Sequence, residues 1–104
     1  MRISIQGDRG SFHEVAARQY FGNSIEIVPC STFDMTIAAV KERLASHAVM
    51  AVENSRSGSH PYNYTLIRES GLKVIGEHNL RIKQNLLTMP GQTISSIRQE
   101  ILRY

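Results

Sequence analysis

The chain has 104 residues, of which 41% are hydrophobic and 20% charged, and this balance excludes disordered and fibrous classes of protein. No apolar run approaches the length that spans a bilayer, and the N-terminal residues enter a strand-like pattern without the apolar core of an export signal. We therefore expect a single compact unit that is soluble and cytoplasmic, with no membrane partner.

The net charge of +3 and the pI of about 9.4 raise nucleic acid as a possible partner, because lysine and arginine neutralise phosphates. The twelve basic residues are spread along the chain among nine acidic ones, with no basic run and no platform of interleaved aromatic residues. This distribution predicts solvated surface charge and no nucleic-acid partner.

Cysteine and histidine content limits the redox and metal chemistry of the chain. Cys30 is the only cysteine, so no intramolecular disulfide and no thiolate cage can form from this chain alone. The histidines, His13, His47, His60 and His78, lack metal-ligand spacing, and we interpret them as solvent-facing or capping residues. We predict no metal site and a reducing compartment.

The first predicted strand is Ile3–Gln6, and the turn-forming run Gly7–Gly10 follows it. Ser11 with Glu14 three positions later is a capping box, which predicts the start of a helix that ends at Gly22. The apolar side chains expected to share one face of this helix are Phe12, Val15, Ala16 and Tyr20.

A second strand and helix follow in residues 25–44. Residues 25–29 are strand-like, and Ser31 or Thr32 can cap the helix. The predicted apolar stripe of that helix is Phe33, Ile37, Val40 and Leu44. The nearly continuous apolar run Ala48–Val52 is typical of a strand covered on both faces. Alternating strands and helices predict the α/β class, with a parallel or mixed sheet flanked by helices.

A polar loop, Glu53–Ser59, precedes a helix predicted to begin at Pro61 and to end at Gly71. Leu72–Gly76 then predicts a strand. The extended pattern continues, as one long strand or two in series, up to the breaker Met89–Gly91.

The last segment is predicted to be a helix. Ser96 and Gln99 form a second capping box, and Ile97, Ile101 and Leu102 would share one apolar face. The chain stops within this predicted helix, so we expect that a following segment is missing.

Two loops, after the first and third strands, lie where open parallel sheets bind ligands. Each precedes a helix, whose unpaired N–H groups and dipole favour an anion. Gly7, Gly10 and Gly58 would let a ligand approach the backbone closely. The alternative, that the glycines only turn the chain and that Ser11 and Ser59 only cap helices, stays open.

Three segments resemble the opening part of the prephenate dehydratase family. They are Gly7–His13 with the alanine pair that follows, Val52–Ser59 with its Glu-Asn-Ser-x-x-Gly-Ser pattern, and Leu72–Glu77. They occur in family order and at family spacing, and together they cover nearly the whole chain.

The resemblance implies a two-lobed fold like that of the type II periplasmic binding proteins, with the second lobe incomplete. Residues 1–76 would form the first lobe, and residues 77–104 the crossover and the start of the second. The implied activity is that of a lyase, which converts prephenate to phenylpyruvate in phenylalanine biosynthesis without metal or organic cofactor. The family motifs most closely tied to catalysis would lie beyond Tyr104, so we expect little or no turnover from this chain alone.

The resemblance also implies roles for individual residues. Glu53 and Asn54 are the predicted catalytic residues, with Asn54 contacting the substrate and Glu53 in an electrostatic or supporting role; proton donation by Glu53 is the weaker alternative. The predicted substrate-binding residues are Ser55, Gly58, Ser59, Gly10 and Ser11. The sequence departs from the family at Ala51, where proline is usual, and at Pro61–Asn63.

A second hypothesis is a non-catalytic module that binds an anion and self-associates. Apolar faces that the missing segment would normally cover favour pairing with another chain. We expect a homo-oligomer, with prephenate as the small-molecule partner under the first hypothesis.

Overall fold

The computed structural model describes residues 1–55, 58–83 and 94–104. The elements are β1 (Arg2–Gln6), α1 (Phe12–Phe21), β2 (Glu26–Cys30), α2 (Phe33–Lys41), β3 (His47–Asn54), β4 (Gly58–Ser59), α3 (Pro61–Ser70), β5 (Lys73–Lys83) and β6 (Ile94–Arg103). The predicted α/β class is therefore confirmed. No helix within the described ranges has the length and apolar character needed to cross a bilayer.

The strands form one mixed sheet in the order β2-β1-β3-β6-β5, with β4 attached to β3. β1 runs parallel to both β2 and β3, with Ile5 opposite Pro29 and Val49. β6 runs antiparallel between β3 and β5. Because β1, β2 and β3 are parallel, their carboxyl ends and the loops that follow them lie at the same edge of the sheet.

The core lies in two layers, one on each face of β3. Met50 packs with α2 and α3, whereas its neighbour Val49 packs with α1, since successive side chains of a strand point to opposite faces. Both side chains are fully buried, which confirms the prediction of a strand covered on both faces. Each such burial stabilises the fold by roughly 1.5–3 kcal/mol.

The helix ends follow the predicted capping residues. Ser11 Oγ accepts from the Glu14 N–H at 3.4 Å, and Thr32 Oγ1 accepts from the Met35 N–H at 3.1 Å. Pro61 occupies the first turn of α3, and Gly71 ends it in the left-handed conformation with φ of 78°. Local sequence therefore sets these boundaries.

The predicted apolar face of α1 is largely wrong. The residues that this helix buries are His13, Ala16 and Ala17. Of the predicted set, Phe12, Val15 and Tyr20 are about two-fifths exposed, and Ala16 alone is buried. The small alanines let the helix approach the sheet closely, while Tyr20 lies against Gly76 of β5, where an added Cβ would collide with its hydroxyl.

The predicted stripe of α2 is wrong at one end. Leu44 lies beyond the helix, which ends at Lys41, and its side chain is half exposed. The residues that α2 buries are Thr36, Ile37, Ala39 and Val40.

The predicted C-terminal helix is wrong, because residues 94–103 form the strand β6. Ile97, Gln99 and Ile101 are buried at alternating positions, and the strand pairs on both sides, with β3 and with β5. The spacing of Ile97, Ile101 and Leu102 fits a helical face as well as a strand, so tertiary pairing decides the outcome. β5 is one continuous strand to Lys83, and the predicted breaker Met89–Gly91 lies outside the described residues.

Candidate active site

An open pocket of about 700 Å³ lies at the end of β3. Among the described residues its lining comes from the β3–β4 hairpin and from β5 and β6: Glu53, Asn54, Ser55, Gly58, Ser59, Glu77, Asn79, Ser96 and Arg98. Five predicted site residues therefore line one pocket, together with four that the sequence analysis did not assign to the site.

The predicted polar loop is a short hairpin. β3 and β4 pair in the antiparallel direction, with Glu53 opposite Ser59 and Asn54 opposite Gly58. Gly58 has φ of 84°, a left-handed conformation that glycine adopts without steric cost. The His60 N–H donates to the carbonyl of Val52 at 2.9 Å and continues the pairing towards α3. The backbone thus presents both ends of the motif to the same pocket.

Ser55 joins the hairpin to β6. Its N–H donates to the Ser96 carbonyl at 2.8 Å, and its Oγ accepts from the Ser96 N–H at 2.7 Å. The Ser55 hydroxyl is the acceptor in this bond to Ser96. Ser55 therefore has a structural role, because its two bonds to Ser96 tie the end of β3 to β6.

Glu53 is held by side chains from two other elements. Its Oε1 accepts from the Tyr64 hydroxyl at 3.0 Å, and its Oε2 lies 3.6 Å from Arg98 Nη1. Arg98 Nη2 donates to the Tyr64 hydroxyl at 2.9 Å and to Glu100 Oε1 at 3.3 Å. The Arg98 Nε lies 3.7 Å from Glu77 Oε2. One guanidinium is thus surrounded by three carboxylates and a phenol.

Burial and neighbouring charges shift the pKa values of this group. Burial raises the pKa of Glu100, and Glu77 and Glu53 act in the same direction, against the lowering effect of Arg98. Burial also raises the pKa of Tyr64, and its hydrogen bond to Glu53 adds to this, so the phenol stays protonated as a donor. Burial alone would lower the pKa of Arg98, but Tyr64 and the carboxylates raise it.

The first loop lies outside this pocket. The Gly10 N–H donates to Glu14 Oε1 at 2.6 Å, and Ser11 caps α1, so both residues contribute to the helix start. β1 ends at Gln6, which the sheet register aligns with residue 50 of β3. β3 continues for four more residues, to Asn54. At 3.3 Å per residue β3 projects about 13 Å further. Gly10 and Ser11 are not among the described residues that line the pocket, and their substrate role stays a prediction.

His13 differs from its interpretation as a solvent-facing or capping residue. Its side chain is only 3% exposed, and its ring lies 4.6 Å from that of Phe12 and 5.6 Å from that of Phe33, centroid to centroid. Its Nε2 makes no hydrogen bond with any described residue. Burial, and to a lesser extent His60, lowers the pKa of His13 from 6.5 to about 4. His13 is therefore a neutral core residue.

The sequence analysis missed Tyr64, Glu77 and Arg98 as site residues. Arg98 falls in the segment predicted as a helix, and only its strand conformation directs it towards Glu53. Glu77 lies within the third segment that carries the family resemblance, which was a usable signal. Within the described ranges, no three of the histidines, cysteines, aspartates and glutamates are grouped to hold a metal ion.

Comparisons with known proteins agree with the resemblance. The sequence profile of the prephenate dehydratase family matches residues 3–101. The chain is 39% identical over 97 residues to a bifunctional N-acyl-homoserine lactone acylase/prephenate dehydratase of Komagataeibacter europaeus, covering 93% of this chain and 34% of the relative. It is 37% identical over 99 residues to arogenate dehydratase/prephenate dehydratase 2 of Arabidopsis thaliana, covering 95% and 26% respectively. The chain thus spans a quarter to a third of these relatives.

Two solved structures share the fold. Prephenate dehydratase from Streptococcus mutans aligns with a TM-score of 0.81 at 24% identity, over 100% of this chain and 50% of that one. GqqA, described as a novel type of quorum quenching acylase, aligns with a TM-score of 0.75 at 33% identity, over 98% and 46%. Prephenate dehydratase has a fold like that of periplasmic binding proteins, which agrees with the predicted class. The chain belongs to the prephenate dehydratase family, a family of lyases.

Proposed function

We propose that this chain supplies part of a dehydratase site for prephenate, in a protein that forms phenylpyruvate, carbon dioxide and water. The observation that carries the proposal is the pocket at the end of β3, which gathers the Glu53-Asn54-Ser55 and Gly58-Ser59 parts of the family motif. Membership of the family supports the reaction, and the pocket supports its location.

The reaction breaks two bonds of the substrate. The electron pair of the ring–carboxylate bond enters the ring as carbon dioxide leaves, and the ring–hydroxyl bond breaks as the hydroxyl takes a proton and departs as water. Such chemistry needs fixed polar groups that orient the substrate and a proton source at the hydroxyl. The Asn54 amide can both donate and accept, which suits it to contact the substrate.

Glu53 suits the electrostatic role better than proton donation. Its two carboxylate oxygens face the Tyr64 hydroxyl at 3.0 Å and Arg98 at 3.6 Å, so both oxygens are engaged by neighbouring side chains. Ser55, Gly58 and Ser59 would complete the substrate-binding wall through backbone and hydroxyl groups. The proton source at the hydroxyl is left to other parts of a complete site.

We further propose that residues 1–76 form the first lobe and that residues 77–104 contain the crossover and the start of the second. Arg98 brings this second region against Glu53, and Glu77 in turn lies against Arg98, as expected for a site between two lobes. An incomplete cleft does not exclude water, so we expect binding with little or no turnover from these 104 residues.

The test is a calorimetric titration of prephenate into the 104-residue chain, with phenylpyruvate measured in parallel. We expect saturable binding that Asn54→Ala weakens at least 10-fold, because a hydrogen bond to a charged ligand is lost. Asn23→Ala, in the loop after α1, is the matched control and should bind like the parent. No binding by the parent, or equal binding by Asn54→Ala, would contradict the proposal. Arogenate and an N-acyl-homoserine lactone are parallel ligands, chosen from the names of the relatives.

A second candidate function is a self-associating module, and the edge of the sheet favours it. The edge strand β5 exposes half of the Val74 side chain and two-fifths of Ile75. Exposed apolar edges favour pairing with another chain, and we expect a homo-oligomer in the cytoplasm, without nucleic acid or membrane. Light scattering that finds a monomer with tight prephenate binding would favour the dehydratase proposal over this one.

A further inference from the structure

The Glu53 carboxylate has a separate partner for each oxygen. Oε1 accepts from the Tyr64 hydroxyl at 3.0 Å, and Oε2 lies 3.6 Å from Arg98 Nη1. Tyr64 comes from α3 and Arg98 from β6, so two elements reach the end of β3 from different directions. Two partners on two oxygens fix the rotation of a carboxylate as well as its position.

Tyr64 also connects the two partners to each other. Its hydroxyl donates to Glu53 and accepts from Arg98 Nη2 at 2.9 Å. A phenol can do both at once, since it carries one proton and two lone pairs. The three side chains therefore form a closed ring of contacts, in which each one orients the other two.

Arg98 is poorly suited to bind a substrate carboxylate, although it lines the pocket. Its three nitrogens face Glu53, Glu77 and Glu100 at 3.6, 3.7 and 3.3 Å. Each guanidinium nitrogen is already directed at a carboxylate of the protein, which leaves the carboxylates of the substrate to other groups of the site. Its contacts act within the protein.

We propose that Tyr64 and Arg98 are positioning residues of the site, which hold the Glu53 carboxylate in one orientation at the pocket. This inference rests on the proposed function for its effect on substrate, but the orientation of Glu53 is a property of the chain without ligand. A side chain that is already ordered loses less conformational freedom when the substrate binds.

The binding test compares two tyrosines of the same helix. Tyr64→Phe should weaken prephenate binding about 5-fold, because a Glu53 side chain that Tyr64 no longer holds must be ordered on binding. Tyr62→Phe removes a hydroxyl that bonds Asp34 at 3.0 Å outside the pocket, and it should leave affinity unchanged. Arg98→Gln should weaken prephenate binding more than 10-fold, because the three carboxylates lose their counter-charge. Arg98→Lys keeps a positive charge and should restore part of the lost affinity. Equal affinities in Tyr64→Phe and Tyr62→Phe would overturn the proposal.

The orientation test needs no ligand. NMR of protein labelled with ¹³C-glutamate gives the side-chain couplings of Glu53. These couplings should report one rotamer in the parent and in Tyr62→Phe, and averaged rotamers in Tyr64→Phe. Averaging already present in the parent, or a single rotamer retained in Tyr64→Phe, would overturn the proposal. If the parent binds no prephenate, the proposed function fails and this test alone decides the positioning role. If Arg98→Gln does not melt cooperatively, its result is set aside and Tyr64→Phe alone decides the positioning proposal.

Discussion

Two loops at the same edge of the sheet carry segments that resemble the same family, yet they have different surroundings. After β1 the polar groups are used locally, since Ser11 and Gly10 bond to the N–H and carboxylate of Glu14 at the start of α1. After β3 the strand continues beyond its neighbour, and Glu53 and Asn54 line an open pocket. A polar motif at a strand end therefore lines a pocket here only where the strand continues beyond its neighbour.

The largest expected effect is a loss of folding stability in acid, which arises from the region beside α1. Because the pKa of His13 is lowered from 6.5 to about 4, the unfolded chain binds a proton in this range that the folded chain does not. Stability should be complete above pH 6.5 and should fall by about 3 kcal/mol as the pH decreases to 4. Urea denaturation followed at pH 7 and at pH 4 measures this loss.

The control is His13→Leu, which removes the titrating group from the same buried position. Its stability should change less between pH 7 and pH 4 than that of the parent. Parallel pH profiles for the two proteins would show that His13 does not control acid stability.

Alanine substitutions at Gly10 and Gly58 test which of the two loops contributes to prephenate binding. Gly10 and Gly58 both have left-handed φ values, 87° and 84°, and no described residue lies within 4 Å of a Cβ added at either site. Alanine should therefore cost about 1–2 kcal/mol of stability at each, from the backbone alone. Only Gly58→Ala should also weaken prephenate binding, because Gly58 lines the pocket.

Thermal melts and calorimetric titration of both variants check this prediction. Loss of prephenate affinity in Gly10→Ala would restore the first loop to the binding site, in line with the role that the family resemblance implies. Unchanged affinity in Gly58→Ala would instead separate the hairpin turn from the ligand.

Local signals in the sequence predicted much of the fold. Ser11 and Thr32 mark helix starts through contacts within one turn, and Gly71 ends α3 through its left-handed conformation. The buried run of β3 follows from continuous apolar residues. β6 could not be predicted in this way, because its apolar spacing suits a helix equally well and only pairing with β3 and β5 resolves it.

The candidate site was predictable only in part, for the same reason. Glu53 and Asn54 follow a buried strand, and their position at a pocket is a local consequence of that strand. Arg98 and Tyr64 reach Glu53 from 45 and 11 residues away along the chain, and no local pattern encodes such a contact. His13 was misjudged because the rotation of α1 depends on how closely Ala16 and Ala17 approach the sheet.

Prephenate should bind where β3 projects beyond β1, and backbone amide NMR during a prephenate titration locates the binding site. We predict saturable shifts at Glu53–Ser55, at Gly58–Ser59 and at Ser96–Arg98, with no comparable change in the α1 core at Ala16 and Ala17. Shifts that leave the β3–β4 hairpin unaffected and appear elsewhere on the chain would contradict the account.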